Sequence, residues 1–218
     1  MFDDKLLHWN DALTIEMLKK SLSINHVSIT STDTVLGFLA PLTEQGYQSL
    51  HAIKGSRTEK HYVILIAAPG KLSYFVDEQS LDKNILRIID SCWPGPLTIV
   101  FKAKKGLPRH LVSADGTIAL RCPRHDGLLK ILFYFDGLFS TSANKSGQIV
   151  ASSLNDLPQD LAAWCDYIVV DEQEAKTIVP STIIDVSQFD TIRVVREGAY
   201  SSTQLEKIVG IPIEKCTL

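Results

Sequence analysis

The chain has 218 residues, 45% of them hydrophobic, enough to bury a sizeable core in one large domain or two small ones. Its 22 Lys and Arg against 25 Asp and Glu give a formal net charge of -3, which argues against a global basic field for gripping nucleic acid. The four cysteines (Cys92, Cys122, Cys165, Cys216) form no C-x-x-C pair and the six histidines show no H-E-x-x-H spacing, so zinc ribbons, dithiol redox motifs and a metal cage built by the protein are not expected.

Leu13, Met17, Leu18 and Leu22 recur at helical spacing in Asp11 to Leu22, with Asp11 placed to cap. Val27 and Ile29 alternate in a strand from His26 to Thr30. Tyr47, Leu50 and Ile53 share one face of a helix over Thr43 to Ile53. Tyr62 to Ala68 is a near-continuous apolar run, the mark of a strand buried on both faces, and Pro69-Gly70 stops it. Leu81 to Cys92 is amphipathic, with Ile85, Ile88 and Ile89 inward, and Pro94-Gly95-Pro96 breaks it as a stiff corner that positions the next strand. Strands follow at Leu97 to Phe101 and Thr117 to Arg121, then a helix at Gly127 to Phe135 and a strand at Leu138 to Thr141. Lys145 to Asp160 is the longest irregular stretch, and long loops in compact domains are often functional. Three further strands, Tyr167 to Val170, Thr182 to Val186 and Ile192 to Arg196, precede a closing helix, Ser201 to Val209, capped by Ser201 or Ser202. Trp9, Trp93 and Trp164 are scattered and read as structural.

Interleaved helices and strands predict an α/β fold with a mixed or mainly parallel sheet. One domain over residues 1–218 is the simplest division, with a core from about 11 to 200 and a C-terminal helix and tail at 201–218. Phe2 is followed by two Asp rather than by a basic stretch and an apolar run, and no segment reaches the ~18 apolar residues of a membrane span. The expected location is the cytoplasm, without membrane contact.

No P-loop, no G-x-G-x-x-G and no G-x-S-x-G occurs. What remains is a set of polar clusters at strand ends, where ligands of α/β sheets usually bind. Thr30-Ser31-Thr32-Asp33-Thr34 is a capping turn or a hydroxyl-lined site. Lys54-Gly55-Ser56-Arg57-Thr58-Glu59-Lys60 is a solvated basic loop or a triphosphate clamp. Arg121 ends an apolar strand, so its head is expected at the same sheet edge as the Thr32 cluster, in need of a carboxylate or phosphate. Ser140 to Gly147 offers hydroxyls, an amide and backbone N–H groups that can wrap an anion. Ser181-Thr182 and Arg196-Glu197-Gly198 complete the set.

In their order and spacing these clusters resemble the YrdC-like family of threonylcarbamoyl-AMP synthases. The family's P-T-D-T-V-Y-G-L appears as Ser31 to Phe38, its I-K-G-R-P-x-x-K as Ile53 to Lys60, W-P-G-P-L-T is intact at Trp93 to Thr98, R-x-P at Arg121 to Pro123 and S-A-N-x-S-G at Ser142 to Gly147. E-S-T-V-x-D is matched by Pro180 to Asp185 and L-R-x-G-A by Val195 to Ala199. The resemblance runs from about the first helix to Tyr200.

The resemblance implies a twisted mixed sheet flanked by helices and enclosing a basic cavity. It implies a nucleotidyltransferase that joins L-threonine, bicarbonate or CO2, and ATP, releasing pyrophosphate, with magnesium carried by the nucleotide and no metal held by the protein itself. It also implies downstream tRNA threonylcarbamoyl transferase proteins as partners, and weak contact with tRNA. By position, Thr32, Arg121, Thr141 and Ser181 would hold the threonine. Lys54, Arg57, Lys60, Thr117, Ser142, Asn144 and Arg196 would hold the nucleotide, with Lys54 and Arg57 as the catalytic cations. The family's arginine is Ser56 here, with Arg57 one place late and expected to reach the phosphates through a shifted loop. Its tyrosine is Leu36, which is expected to remove an aromatic wall near the substrate; its glutamate is Pro180, and a usual hydroxyl is Val150. The alternative is a divergent member that binds nucleotide or RNA without making the adenylate.

Overall fold

The computed structural model describes residues 4–55, 62–145, 147–148, 151, 153–171, 179–188 and 191–215, and within them an 11-stranded mixed sheet forms the centre. Its strands are β1 (Leu6–His8), β2 (Ser28–Thr30), β3 (Gly37–Pro41), β4 (Val63–Leu65), β5 (Leu97–Lys102), β6 (Thr117–Arg121), β7 (Leu138–Ser142), β8 (Ile168–Val170), β9 (Thr182–Asp185), β10 (Arg193–Arg196) and β11 (Glu214–Lys215). They lie in the order β1-β8-β2-β3-β7-β4-β6-β5-β9-β10-β11. Parallel pairs such as β4/β6 and β5/β9 alternate with antiparallel pairs such as β3/β7 and β5/β6.

Helices α1 (Thr14–Ser23) and α4 (Asp126–Leu132) cover one face, and α2 (Glu44–Lys54), α3 (Lys83–Cys92) and α6 (Ser202–Val209) the other. A short α5 (Gln159–Ala162) adds Leu161 and Ala162 to the second face. Successive strand residues enter different cores, as the period of two requires. Phe38, Ile64, Phe139 and Ile168 pack with Leu50, Ile53, Ile85, Ile88 and Leu205. Their neighbours Leu39, Leu65, Leu138 and Val169 pack with Leu18, Leu22, Leu128 and Ile131. Each such side chain contributes about 1.5–3 kcal/mol when fully buried, so the helices fix the sheet from both sides.

Four caps set the helix starts. Thr43 accepts from the Gly46 N–H, Asp82 from Asn84 and Ile85, His125 Nδ1 from Leu128, and Ser201 forms a capping box with Gln204. The expected Asp11 cap is not formed. Leu13 holds the N-cap position of α1, while the Asp11 carboxylate takes the His8 N–H at 3.1 Å and Thr14 Oγ1 donates to His8 O at 2.7 Å. Both side chains close the turn between β1 and α1, so the helix begins three residues later than expected.

Two further expectations are corrected. Trp9 and Trp93 are buried, but Trp164 is 57% exposed and belongs to no core. Strand β3, all of it buried, lies in the middle of the sheet where no strand was expected. Its sequence, Gly-Phe-Leu-Ala-Pro, lacks alternation because both faces are covered, and its Gly and Pro imitate a turn. The edge strands β1 and β11 are likewise additional. Part of the loop from Lys145 to Asp160 is ordered as a 3-10 turn, Leu154–Asp156, boxed by Ser153. No helix among the described residues is long and apolar enough to cross a membrane.

Candidate functional site

Residues of every polar cluster but Lys54 to Lys60 meet at one cavity of about 450 Å3, a size in the usual range for small-molecule sites. Thr32, Asp33, Thr34 and Val35 reach it from the turn after β2, Val63 and Leu65 from β4, and Arg121 from the end of β6. Ser140, Thr141 and Ser142 line it from β7, Pro180, Ser181 and Ile183 from around the start of β9, and Val195 and Arg196 from β10. Thr98 completes the wall below Ser181, the two hydroxyl oxygens lying 3.0 Å apart. Gly37 is also part of the lining, and a Cβ there would stand 3.2 Å from Thr141 O of the paired strand.

Arg121 is buried, and its head emerges at the edge occupied by the Thr32 cluster. Nη1 donates to Thr34 Oγ1 at 3.0 Å, Nε to Gly95 O at 3.3 Å, and Nη2 to the Asp33 carboxylate. The Pro94-Gly95 corner therefore does more than turn the chain. It supplies the carbonyl under Arg121, and Pro94 O accepts from Arg124 Nε at 3.0 Å. The Thr32 hydroxyl organises its own turn, accepting from the Thr34 and Val35 N–H groups and donating to Val35 O at 2.8 Å.

Arg196 also lines the cavity, with Nη2 donating to Ser181 O at 2.7 Å. Burial, and then the positive charge of Arg121, lower its pKa below the ordinary arginine value. The seat of Arg196 is built by Thr182, whose hydroxyl accepts from the Gly198 and Tyr200 N–H groups and donates to Tyr200 O at 2.6 Å. This folds the chain after β10 back onto β9. Gly198 is required there, since a Cβ would meet Pro180 O at 2.2 Å.

The S-A-N turn has a cation beneath it. Lys54, buried at the end of α2, donates to Ser142 O at 2.8 Å, Asn144 O at 2.5 Å and Asn144 Oδ1 at 2.8 Å. Asn144 Oδ1 also accepts from Ser142 Oγ at 2.6 Å, and Asn144 Nδ2 donates to Gln148 O at 2.5 Å. The three N–H groups of the ammonium thus meet acceptors of one turn. Lys54 and Asn144 shape the turn from behind, while Ser142 faces the cavity.

Thr32, Arg121, Thr141, Ser142, Ser181 and Arg196 are thus brought together around one space. Thr117 is not among its lining residues. It opens β6 while Arg121 ends it, about 13 Å away at ~3.3 Å per residue, and its Oγ1 donates to Asp115 at 2.7 Å. Arg57 and Lys60, with Ser56 and Val150, lie outside the described residues. Leu36 packs into the core rather than the cavity wall, which gains an aromatic ring from Tyr62. Asp33, Thr34 and Thr98 also line the cavity and Gly95 O braces Arg121; none was singled out from the motifs that contain them. Among the described lining side chains, two arginines face one aspartate, which favours an anionic ligand.

The chain matches the Sua5/YciO/YrdC family model, described as "Telomere recombination", over residues 20–198. It is 31% identical over 178 residues to a protein of Pseudoalteromonas translucida named threonylcarbamoyl-AMP synthase, covering 81% of this chain and 95% of that one. A protein of Pyrococcus abyssi with the same name is 28% identical over 181 residues, covering 82% of this chain and 52% of that one. The structure of P. abyssi Sua5 complexed with L-threonine has a TM-score of 0.85 at 24% identity, covering 97% of this chain and 62% of that chain, a likeness of fold. The chain therefore spans less than two thirds of the P. abyssi relative's length.

Proposed function

The chain belongs to the Sua5/YciO/YrdC family, and from that premise we propose that it is a threonylcarbamoyl-AMP synthase, joining L-threonine, bicarbonate or CO2, and ATP with release of pyrophosphate. The observation that carries this reading is the convergence of the T-D-T, R-x-P, S-A-N, S-T and R-E-G segments on one cavity lined by two guanidinium groups. Relatives across much of the chain's length bear the synthase name.

Arg121 takes the threonine carboxylate through its forked N–H groups, beside the hydroxyls of Thr34 and Ser181. The neutral threonine amine captures CO2, and an oxygen of the resulting carbamate attacks the α-phosphorus of ATP as pyrophosphate leaves in line. No protein nucleophile takes part. The protein contributes placement and charge neutralisation. Arg196 and the S-A-N turn receive the phosphates, with Lys54 holding that turn in shape and Arg57 and Lys60 supplying further cations. Magnesium enters as part of the nucleotide substrate. The product is handed to tRNA threonylcarbamoyl transferase proteins, with weak contact to tRNA, in the cytoplasm.

The test is direct detection of the product. Pure protein with ATP, L-threonine and isotopically labelled bicarbonate is expected to yield labelled threonylcarbamoyl-AMP by mass spectrometry. Nucleotide binding without any labelled adenylate overturns the synthase reading in favour of a binding protein.

A further inference from the structure

Asp33 joins two loops that meet only in three dimensions. Its Oδ1 accepts from Nη2 of Arg121, 88 positions away, and its Oδ2 accepts the backbone N–H of Arg124 at 2.9 Å. Both side chains of the Asp33–Arg121 pair are only 9% exposed. The carboxylate thus grips the arginine and also the chain just beyond it. Thr34 Oγ1 and Gly95 O hold the same guanidinium from two further directions.

Three of the five guanidinium N–H groups are therefore committed, each to a different residue. Among the described residues, this leaves one N–H on each terminal nitrogen to meet a carboxylate entering the cavity. A long, flexible arginine becomes a fixed fork only when its plane and twist are set. Of the three holders, Asp33 alone bears charge. That charge offsets Arg121 and leaves Arg196 as the other cation of the described lining. The Asp33–Arg121 pair is thereby close to neutral and oriented, suited to a monoanion such as a carboxylate.

We infer that Asp33 is a positioning residue for the amino-acid substrate: it aims Arg121 at the substrate carboxylate. The inference rests on the synthase reading of the cavity and assigns a role within it.

The test is Asp33→Asn in the full chain, with steady-state pyrophosphate release measured against threonine and, separately, against ATP. The threonine KM is expected to rise about tenfold or more, outpacing any fall in kcat, with the ATP KM within about threefold of wild type. L-threonine amide, which lacks the carboxylate, supplies a readout that a merely structural role would not move. Wild type is expected to favour threonine over the amide strongly, and Asp33→Asn to reduce that ratio about tenfold. An unchanged or lowered threonine KM overturns the inference, as does an equal rise in both KM values with the amide ratio intact. If Asp33→Asn does not fold, Asp33→Glu keeps the charge and displaces the carboxylate by one methylene. It is expected to raise the threonine KM alone, and an unaltered threonine KM is again contradictory. Wild-type protein without threonine-dependent pyrophosphate release would defeat the synthase reading itself, an outcome distinct from an active wild type with an indifferent Asp33→Asn.

Discussion

Replacing Lys54 by Met separates two roles for this side chain, since a phosphate ligand and a clamp on the S-A-N turn predict different behaviour without nucleotide. The ammonium makes three bonds, to Ser142 O, Asn144 O and Asn144 Oδ1, all within 2.8 Å. Bonds to a charged group contribute about 1.5–3 kcal/mol each, or roughly 4–9 kcal/mol for three before any offset. Removing a buried ammonium recovers several kcal/mol of desolvation, so the net loss is about 2–4 kcal/mol. At about 2–4 °C per kcal/mol for a chain of this size, Tm is expected to fall by about 5–15 °C. The assay is a thermal melt of ligand-free wild type and Lys54→Met, paired with ATP affinity by calorimetry. Loss of both stability and ATP affinity supports the clamp. Unaltered Tm with weakened ATP binding would refute it, because Lys54 would then serve the phosphates alone.

Thr182→Val removes the hydroxyl that gathers Gly198 and Tyr200, leaving two N–H groups and a carbonyl without that partner. About 2–3 kcal/mol of stability and a several-fold rise in ATP KM are expected from a melt and steady-state kinetics, since Arg196 loses its seat; an unchanged ATP KM would contradict that link. Ser181→Ala breaks the contact to Thr98 and opens the threonine end, and a threonine KM raised about five- to tenfold is expected, which corresponds to about 1–1.4 kcal/mol. Burial pushes the thiols of Cys92 and Cys122 from 9.0 to about 11 and that of Cys165 to about 12. These folded values exceed the unfolded one, so their contribution to stability is complete below pH ~9 and is lost as pH rises from there through the folded values. Mass mapping after alkylation of native protein at pH 8 is expected to find these three unmodified, and their rapid labelling would contradict the burial.

The sequence revealed the fold where periodicity was clean. Ile85, Ile88 and Ile89 announced α3, and the apolar run around Ile64 announced a strand covered on both faces. It concealed β3, because Gly37 and Pro41 carry turn chemistry while the run between them lacks alternation. Asp11 misled because an aspartate before a helix serves equally well to close the preceding turn.

The site was legible as a set of strand-end clusters but not as a network. Asp33 and Arg121 are 88 positions apart, and Lys54 and Asn144 are 90 apart. No local pattern encodes such pairings; they follow from the order in which β2, β3, β7, β4 and β6 lie side by side.

The central claim is tested most directly by omission of single substrates in a pyrophosphate-release assay. With ATP, bicarbonate and L-threonine together, pyrophosphate is expected to form, and leaving out threonine or bicarbonate is expected to abolish it. Release that persists without threonine, or none in the complete mixture at any pH or magnesium concentration, would contradict the account.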